Sequence, residues 1–386
     1  MRARSLLLAF PVLVAALAAL LASAPARAEG PIPVALVYNL TGGMASIDRP
    51  GLSGALLAVE QVNAGGGVLG RPLKAVVVDG KSDVQTLRQA VAKAMEGEKP
   101  CAVVGLNDST YAMAAAPPVM AAGVPMVTAG ATWQGLPDLF GPNFFLAPFG
   151  DDDQARAMAR FTVDTLGLKR VWLLSDLSHD FTRVLAANYR PVVKARGGEI
   201  LDEAQYASGE KTFAAQMAAF KALPKEPEAV FISSVPPDAP VSVPALRAAG
   251  FVGPVLSGDG FDTPLLDALP PDQARTVYFA THVALDKDTP VVRNFVARYQ
   301  ERYGAPPDSG FAALGYDAVM LVASALGRAG STNPAALRQA LGQTRDFPAV
   351  TGTITYPPGK RVPRKPVDII RLENGRRSFA AEVAPE

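Results

Sequence analysis

One cysteine and two histidines in 386 residues rule out several chemistries before any motif is sought. Cys101 has no partner for an internal disulfide, and it lies in the apolar run CAVVG, where a small buried thiol is the plain reading. Stability must come from packing. His179 and His282 belong to no H-x-x-x-H pair and no Cys/His cluster, so a zinc site lacks its ligands. A G-x-S-x-G elbow is also missing. Ser208-Gly209-Glu210-Lys211 matches S-x-x-K but stands without the companion motifs of penicillin-binding enzymes, in a polar stretch that reads as a turn. The expectation is a protein that is not an enzyme and uses no metal or cofactor.

Charge of one sign and long hydrophobic runs are scarce too. Setting aside Arg2, Arg4 and Arg27 leaves 34 basic against 36 acidic side chains, which argues against nucleic acid or an anionic membrane as a partner. The long apolar run that stands out covers residues 6–21. It follows Arg2 and Arg4 and precedes Ala26-Arg27-Ala28, the layout of a cleaved signal peptide over residues 1–28. The cut has no cysteine for lipid attachment. No second such run is read further on, so the mature chain is expected to be soluble in the periplasm. About 358 residues remain, enough for two domains with their own cores.

Those residues alternate between apolar strands and amphipathic helices. Strands are expected at 34–38, 73–78, 102–105, 125–128, 170–174, 229–232, 254–257 and 277–280. Helices are expected at 54–63, 83–96 and 112–122, the last disturbed by Pro117-Pro118. Continuous apolar strands between helices predict parallel sheets covered on both faces. One sheet with all these strands would be unusually wide, so two α/β domains are predicted, with a joint at 141–151 where Pro142, Pro148 and Gly150 cluster.

Residues 58–79, AVEQVNAGGGVLGRPLKAVVVD, hold Gly65, Gly67 and Gly70 in a G-x-G-x-x-G spacing. A dinucleotide loop must follow a strand and open a helix. Here the glycines end a helix and precede a strand, where positive φ is needed instead. The corner resembles the N-A-G-G-G-(I/V)-x-G-(R/K) turn of the periplasmic solute-binding proteins of the branched-chain amino acid type. Further similar pieces follow in order: VALVYNLTGG from Val34, AGVPMV from Ala122, AGAT from Ala129, LRAAGF from Leu246, GDG from Gly258, ALGYDA from Ala313 and GTITY from Gly352. The resemblance implies two Rossmann-like lobes joined by three crossovers, near 144–148, 278–283 and 350–353. One lobe would be 29–146 with 281–350 and the other 147–280 with 351–386. It also implies a monomer that delivers its ligand to an ABC transporter permease; a ligand sensor for a receptor is the same module in another setting.

Ligands of open parallel sheets bind outside the carboxyl ends of the strands. The loop after Gly105 offers Ser109 and Thr110 at a helix start, and the loop after Thr128 offers Gly130, Ala131 and Thr132. Hydroxyls beside free helix N–H groups suit a carboxylate, although Ser109 and Thr132 also read as N-caps. In the second domain the candidates are Phe181, Ser234, Val235 and Asp259, the last between two glycines. By the resemblance, Ser109, Ala131 and Thr132 receive a ligand carboxylate, Asp259 its ammonium, and Phe181 packs against it. The chain departs from the family pattern at Val235 and Ile47, where aromatics are common, and at Ser82 and Asp108, where a disulfide cannot form. An α-amino acid and a carboxylate without an amino group, such as an aromatic or keto acid, both remain open. The basic stretch 356–377 reads as a solvated edge.

Overall fold

A computed structural model describes residues 30–385; the leader expected over residues 1–28 lies outside the described residues. The first sheet has strands β1 (Ile32–Tyr38), β2 (Leu73–Asp79), β3 (Ala102–Gly105), β4 (Met126–Thr128) and β5 (Phe144–Leu146). They run in the order β2-β1-β3-β4-β5, all parallel. Alternation along β1 divides its side chains between two layers. Ile32, Val34, Leu36 and Tyr38 pack in a core with helix α1 (Ala45–Ala64), whereas Ala35 and Val37 join helices α2 (Val84–Gly97) and α3 (Ser109–Ala121) on the other face. A short α4 (Leu136–Phe140) leads into β5.

After β5 the chain enters a second sheet. Helices α5 (Asp151–Arg160), α6 (Asp180–Ala195), α7 (Ala214–Lys221) and α8 (Ala239–Ala248) alternate with β6 (Arg170–Asp176), β7 (Glu199–Tyr206), β8 (Ala229–Ser233), β9 (Val255–Ser257) and β10 (Val277–Thr281). Here again Trp172 and Leu174 face one core while Val171 and Leu173 face another. The chain then returns through α9 (Pro290–Tyr303), α10 (Gly310–Ala329) and α11 (Pro334–Gly342) to the first sheet. A last passage adds β11 (Val367–Glu373) and β12 (Arg376–Val383), antiparallel, giving the order β12-β11-β10-β9-β8-β6-β7. Two mostly parallel sheets with interleaved helices are what the strand pattern predicts.

Helix α10 lies against α1 with backbones nearly touching. A Cβ on Gly54 would lie 1.8 Å from the Ala312 carbonyl oxygen, and one on Gly315 would lie 1.9 Å from that of Gly51. These glycines are the means by which a later segment is fastened to the first sheet. The three-glycine corner also has a packing cause: Gly67 adopts φ 77°, and a Cβ there would sit 2.1 Å from the Arg71 carbonyl oxygen. Its N–H caps the end of α1 at Val62 O, 2.9 Å away. The corner ends a helix and starts β2, so it presents no helix N-terminus to a phosphate.

Several expectations shift. Helix α1 starts at Ala45, nine residues earlier than the pattern suggests, and carries Pro50 inside it. Helix α3 starts at Ser109 because Asp108 caps it, accepting from the N–H of Thr110 at 2.9 Å. Strands β5, β7, β11 and β12 are additional to the expected ones. Helix α10 is itself long and apolar enough to cross a membrane, but it is mostly buried as a core helix. Close to the passage expected at 350–353, Ile354 and Tyr356 pack into the core under the first sheet, and Tyr356 donates to Leu146 O at 2.8 Å. The basic tail is only partly a solvated edge: Lys365 is buried, and Arg377 pairs with Asp262 and Asp267.

Candidate functional site

The loops at the carboxyl ends of both sheets meet. From the first sheet, the turn after β3 passes through Leu106 at φ 61° and delivers Asn107, Asp108, Ser109 and Thr110. Its Leu106 carbonyl accepts from Gly130 N and Ala131 N, both at 3.2 Å, and so joins this loop to the loop after β4. Ser109 Oγ accepts from Trp133 N at 3.1 Å and reinforces the junction. Ser109 is therefore the first residue of α3 and Thr132 opens no helix, so neither is the N-cap the sequence allowed; Asp108 has that role. The N–H groups of Ser109 and Thr132 have no acceptor among the described residues, and both residues are buried. Buried N–H groups are nearly always paired, so these two, beside hydroxyls, are candidates to receive an acceptor.

Asp48 holds this half in place from below. Its carboxylate accepts from Asn39 N at 2.7 Å and Asn107 N at 3.2 Å, tying the loops after β1 and β3 to α1. Burial pushes it up to about 7 despite these bonds. Gly130 leaves no room for a side chain: a Cβ there would lie 2.6 Å from Asn107 Oδ1 and 2.8 Å from the Phe311 ring.

From the second sheet come Phe181 at the start of α6, Ser234 and Val235 after β8, and Asp259 after β9. A Cβ on Gly260 would lie 3.1 Å from both Phe181 and Val235, so these two apolar groups flank the Asp259 turn. Ser234 Oγ accepts from Tyr206 OH at 2.6 Å and is turned toward the interior of its own sheet. The structure thus places Ser109, Thr110, Gly130, Ala131 and Thr132 in one group and Phe181, Val235 and Asp259 in another, with Ser234 behind the latter.

Two contacts join the groups. Thr110 Oγ1 accepts from Asp180 N at 2.8 Å, and Gln154 links Thr132 to Asp259. Gln154 Nε2 lies 3.5 Å from Thr132 Oγ1, 2.9 Å from Asp151 Oδ1 and 3.3 Å from Asp259 Oδ1, while its Oε1 accepts from Asp259 N at 3.1 Å. The other Asp259 oxygen meets His282 Nε2 at 2.8 Å. His282 stacks on Phe149 with ring centroids 4.0 Å apart. Burial pushes Asp259 up to about 8 and holds His282 well below its ordinary value. Asp108 and Asp151 are also raised by burial. Asp48, Asp108, Asp151 and Asp259 are buried here, as are Asp176, Asp238 and Asp262 on neighbouring strand ends, and Arg377 pairs with Asp262.

Gln154, His282 and Asp151 escaped sequence reasoning. Asp151 and Gln154 lie in an acidic run that reads as an ordinary helix start, and His282 follows a strand without any motif. The rarity of histidine was the signal available for the last.

The family model described as "Periplasmic binding protein" matches residues 31–377. The Leu/Ile/Val-binding protein BraC3 of Rhizobium johnstonii is 27% identical over 350 residues, covering 89% of this chain and 92% of that protein. The leucine-binding protein LivK of Thermotoga maritima superposes with a TM-score of 0.85 at 30% identity, covering 92% of this chain and 99% of that one. The branched-chain amino acid transporter substrate-binding protein LivJ of Streptococcus pneumoniae, solved with isoleucine, gives 0.85 at 27% identity, covering 92% and 100%.

Proposed function

The chain belongs to the periplasmic binding protein family, a family of extracytoplasmic solute-binding proteins rather than enzymes, and from that premise we propose that it closes two lobes over an amino acid and presents it to an ABC importer. The observation that carries this reading is the pairing of buried, acceptor-free N–H groups at Ser109 and Thr132 with a buried carboxylate at Asp259 on the facing loops. The first group receives the ligand carboxylate with Thr110, Gly130 and Ala131 around it. Asp259 receives the α-ammonium, and Phe181 and Val235 enclose the side chain, with Ser234 supporting them.

The lobes in this reading are 29–146 with 281–350 and 147–280 with 351–386, and closure is a hinge motion about the three connections. Export to the periplasm after removal of residues 1–28, a monomeric state and a permease as protein partner complete the proposal. A second reading, a carboxylate without an amino group, draws support from Gln154 and His282, which already engage both Asp259 oxygens.

A thermal-shift screen of amino acids against aromatic and keto acids tests both. A ligand at a hundredfold excess over its dissociation constant stabilises the protein by about 2.7 kcal/mol. Amino acids are expected to raise the melt. A response confined to acids without an amino group selects the second reading, and no response to any small carboxylate defeats both.

A further inference from the structure

The facing loops meet a second time, away from Gln154 and Asp259. Thr110 Oγ1 of the first lobe accepts from Asp180 N of the second at 2.8 Å. Beside that bond the rings of Tyr111 and His179 lie with their centroids 6.4 Å apart, tilted at 41°. The N–H groups of Thr110 and Tyr111 donate to Asp108 Oδ1 at 2.9 and 3.4 Å. One short turn thus holds the Asp108 carboxylate and rests on the loop that carries His179. Both residues are buried, with 3% and 7% of their surface exposed.

His179 is a base set among acids. Its Nδ1 bonds Asp176 Oδ2, at the end of β6, at 2.6 Å. Asp238, ahead of α8, accepts from Gly209 N with both oxygens at 3.0 and 3.1 Å and adds its charge. Of the other titratable neighbours, Asp180 pairs with Arg183 on α6, and Tyr206 of β7 donates its hydroxyl to Ser234. Burial opposes a charge on the imidazole, but the bond to Asp176 and the charges of Asp108, Asp176 and Asp238 outweigh it and hold His179 above its ordinary value. Asp176 and Asp238 belong to the lobe of His179 and stay with it. Asp108 belongs to the other lobe and leaves when the lobes part.

Resting on the reading of a hinged, two-lobed protein but on no particular ligand, we propose that His179 is a proton-dependent latch, which when protonated attracts Asp108 of the facing lobe and favours the closed form. Closure adds an anion beside the imidazole, so the closed form binds the proton more tightly than the open form. The gain for closure is complete below the open-form value of His179 and is lost as pH rises through its higher closed-form value. The ligand itself touches neither group in this arrangement. The latch therefore acts on retention of whatever the cleft holds.

The lobes also touch at Ser46 and Thr263, whose hydroxyl oxygens are 3.1 Å apart, which allows a test without ligand. Ser46→Cys combined with Thr263→Cys lets oxidation lock the closed form and reduction free it, while Cys101 stays buried. Proton NMR of the untagged protein follows the two imidazoles through a pH titration in both forms, and His179→Gln identifies the resonance of His179. The proton affinity of His179 is expected to be at least about threefold higher in the oxidised form, as for an opposite charge brought near. Asp108→Asn keeps a helix cap and is expected to erase the difference. Small-angle scattering of the same two forms reports whether the lobes have moved. Equal titration of His179 in two forms of different radius overturns the latch and leaves the hinge standing, and so does a difference that survives Asp108→Asn. Equal radii remove the hinge motion on which the proposal rests. The comparison of oxidised and reduced protein stands even if the Asp108 variant does not fold.

Discussion

Replacing Asp259 with Asn separates a pH-dependent folding cost from ligand recognition. Asp259 is enclosed, and burial pushes it from an ordinary 3.8 up to about 8. A carboxyl raised in the folded state binds its proton more tightly there than in the unfolded chain. Its contribution to stability is complete below 3.8 and is lost as pH rises through 8. Between those limits the loss is about 4 kcal/mol at pH 7 and about 6 kcal/mol once the folded group ionises. Asn has the same shape and no proton to lose. In urea denaturation of the ligand-free protein, the variant should therefore gain on the wild type steadily from pH 5 to 8 and hold its lead above that. Ligand binding should move oppositely: an α-ammonium needs the ionised Asp259, so the wild type should release a proton on binding below pH 8, seen as a buffer-dependent calorimetric heat. The Asn variant should lose amino-acid affinity by about 2–5 kcal/mol, the range for a buried charge pair cut at one end. A gap between the two proteins that stays constant from pH 5 to 9 would refute the reasoning, because it would mean that His282 already carries the compensating charge.

Gly130→Ala should weaken ligand binding more than tenfold with less than about 2 kcal/mol lost in stability, since the new methyl meets Asn107 Oδ1 and Phe311; calorimetry and thermal melts together check it. Thr110→Val removes the acceptor for Asp180 N and should lower affinity by about 0.5–1.5 kcal/mol while widening the ligand-free form in small-angle scattering. At the last passage between sheets, Lys365 Nζ donates to Thr351 Oγ1 at 2.7 Å, which donates to Asp317 Oδ2 at 2.7 Å. Burial pushes Lys365 down to about 8, so Lys365→Met should be tolerated best together with Asp317→Asn, whereas Asp317→Ala alone should cost about 3–5 kcal/mol in urea denaturation. Mass spectrometry of the exported protein should find Glu29 at its N-terminus; an intact Arg2–Ala28 segment would contradict the cleavage reading.

What could be read in advance follows from how locally each feature is encoded. Apolar strands such as AVVG and AVFIS announce themselves because both faces are buried, and their order fixes a parallel α/β fold. The glycine corner was legible because a helix end and a strand start flank it. Helix starts were less so: Asp108 rather than Ser109 caps α3, and residues this close in polarity exchange roles through a single backbone rotation. β11 and β12 were hidden by charge: Arg371 and Arg376 are exposed, and Arg377 looks like surface until Asp262 and Asp267 arrive from over a hundred residues away. The site divided the same way. Loops after strands could be searched as a class, which nominated Ser109, Thr132 and Asp259. Gln154 and His282 depend on contacts across 105 and 23 residues, respectively, for which a single sequence contains no periodic trace.

The last passage of the chain also bears on how the molecule is assembled. β10 has β9 on one side as soon as it is made, but its other side stays open until residues 367–373 follow. Helix α10, which fills the seam against α1, likewise emerges after the whole second sheet except its final strands. No prefix of the chain contains a finished half. A ribosome or export channel that releases the protein in order exposes an uncovered α1 for most of the chain's length and an unpaired β10 edge until β11 is made. Truncation before Val367 should therefore give aggregation through that edge rather than a smaller folded protein.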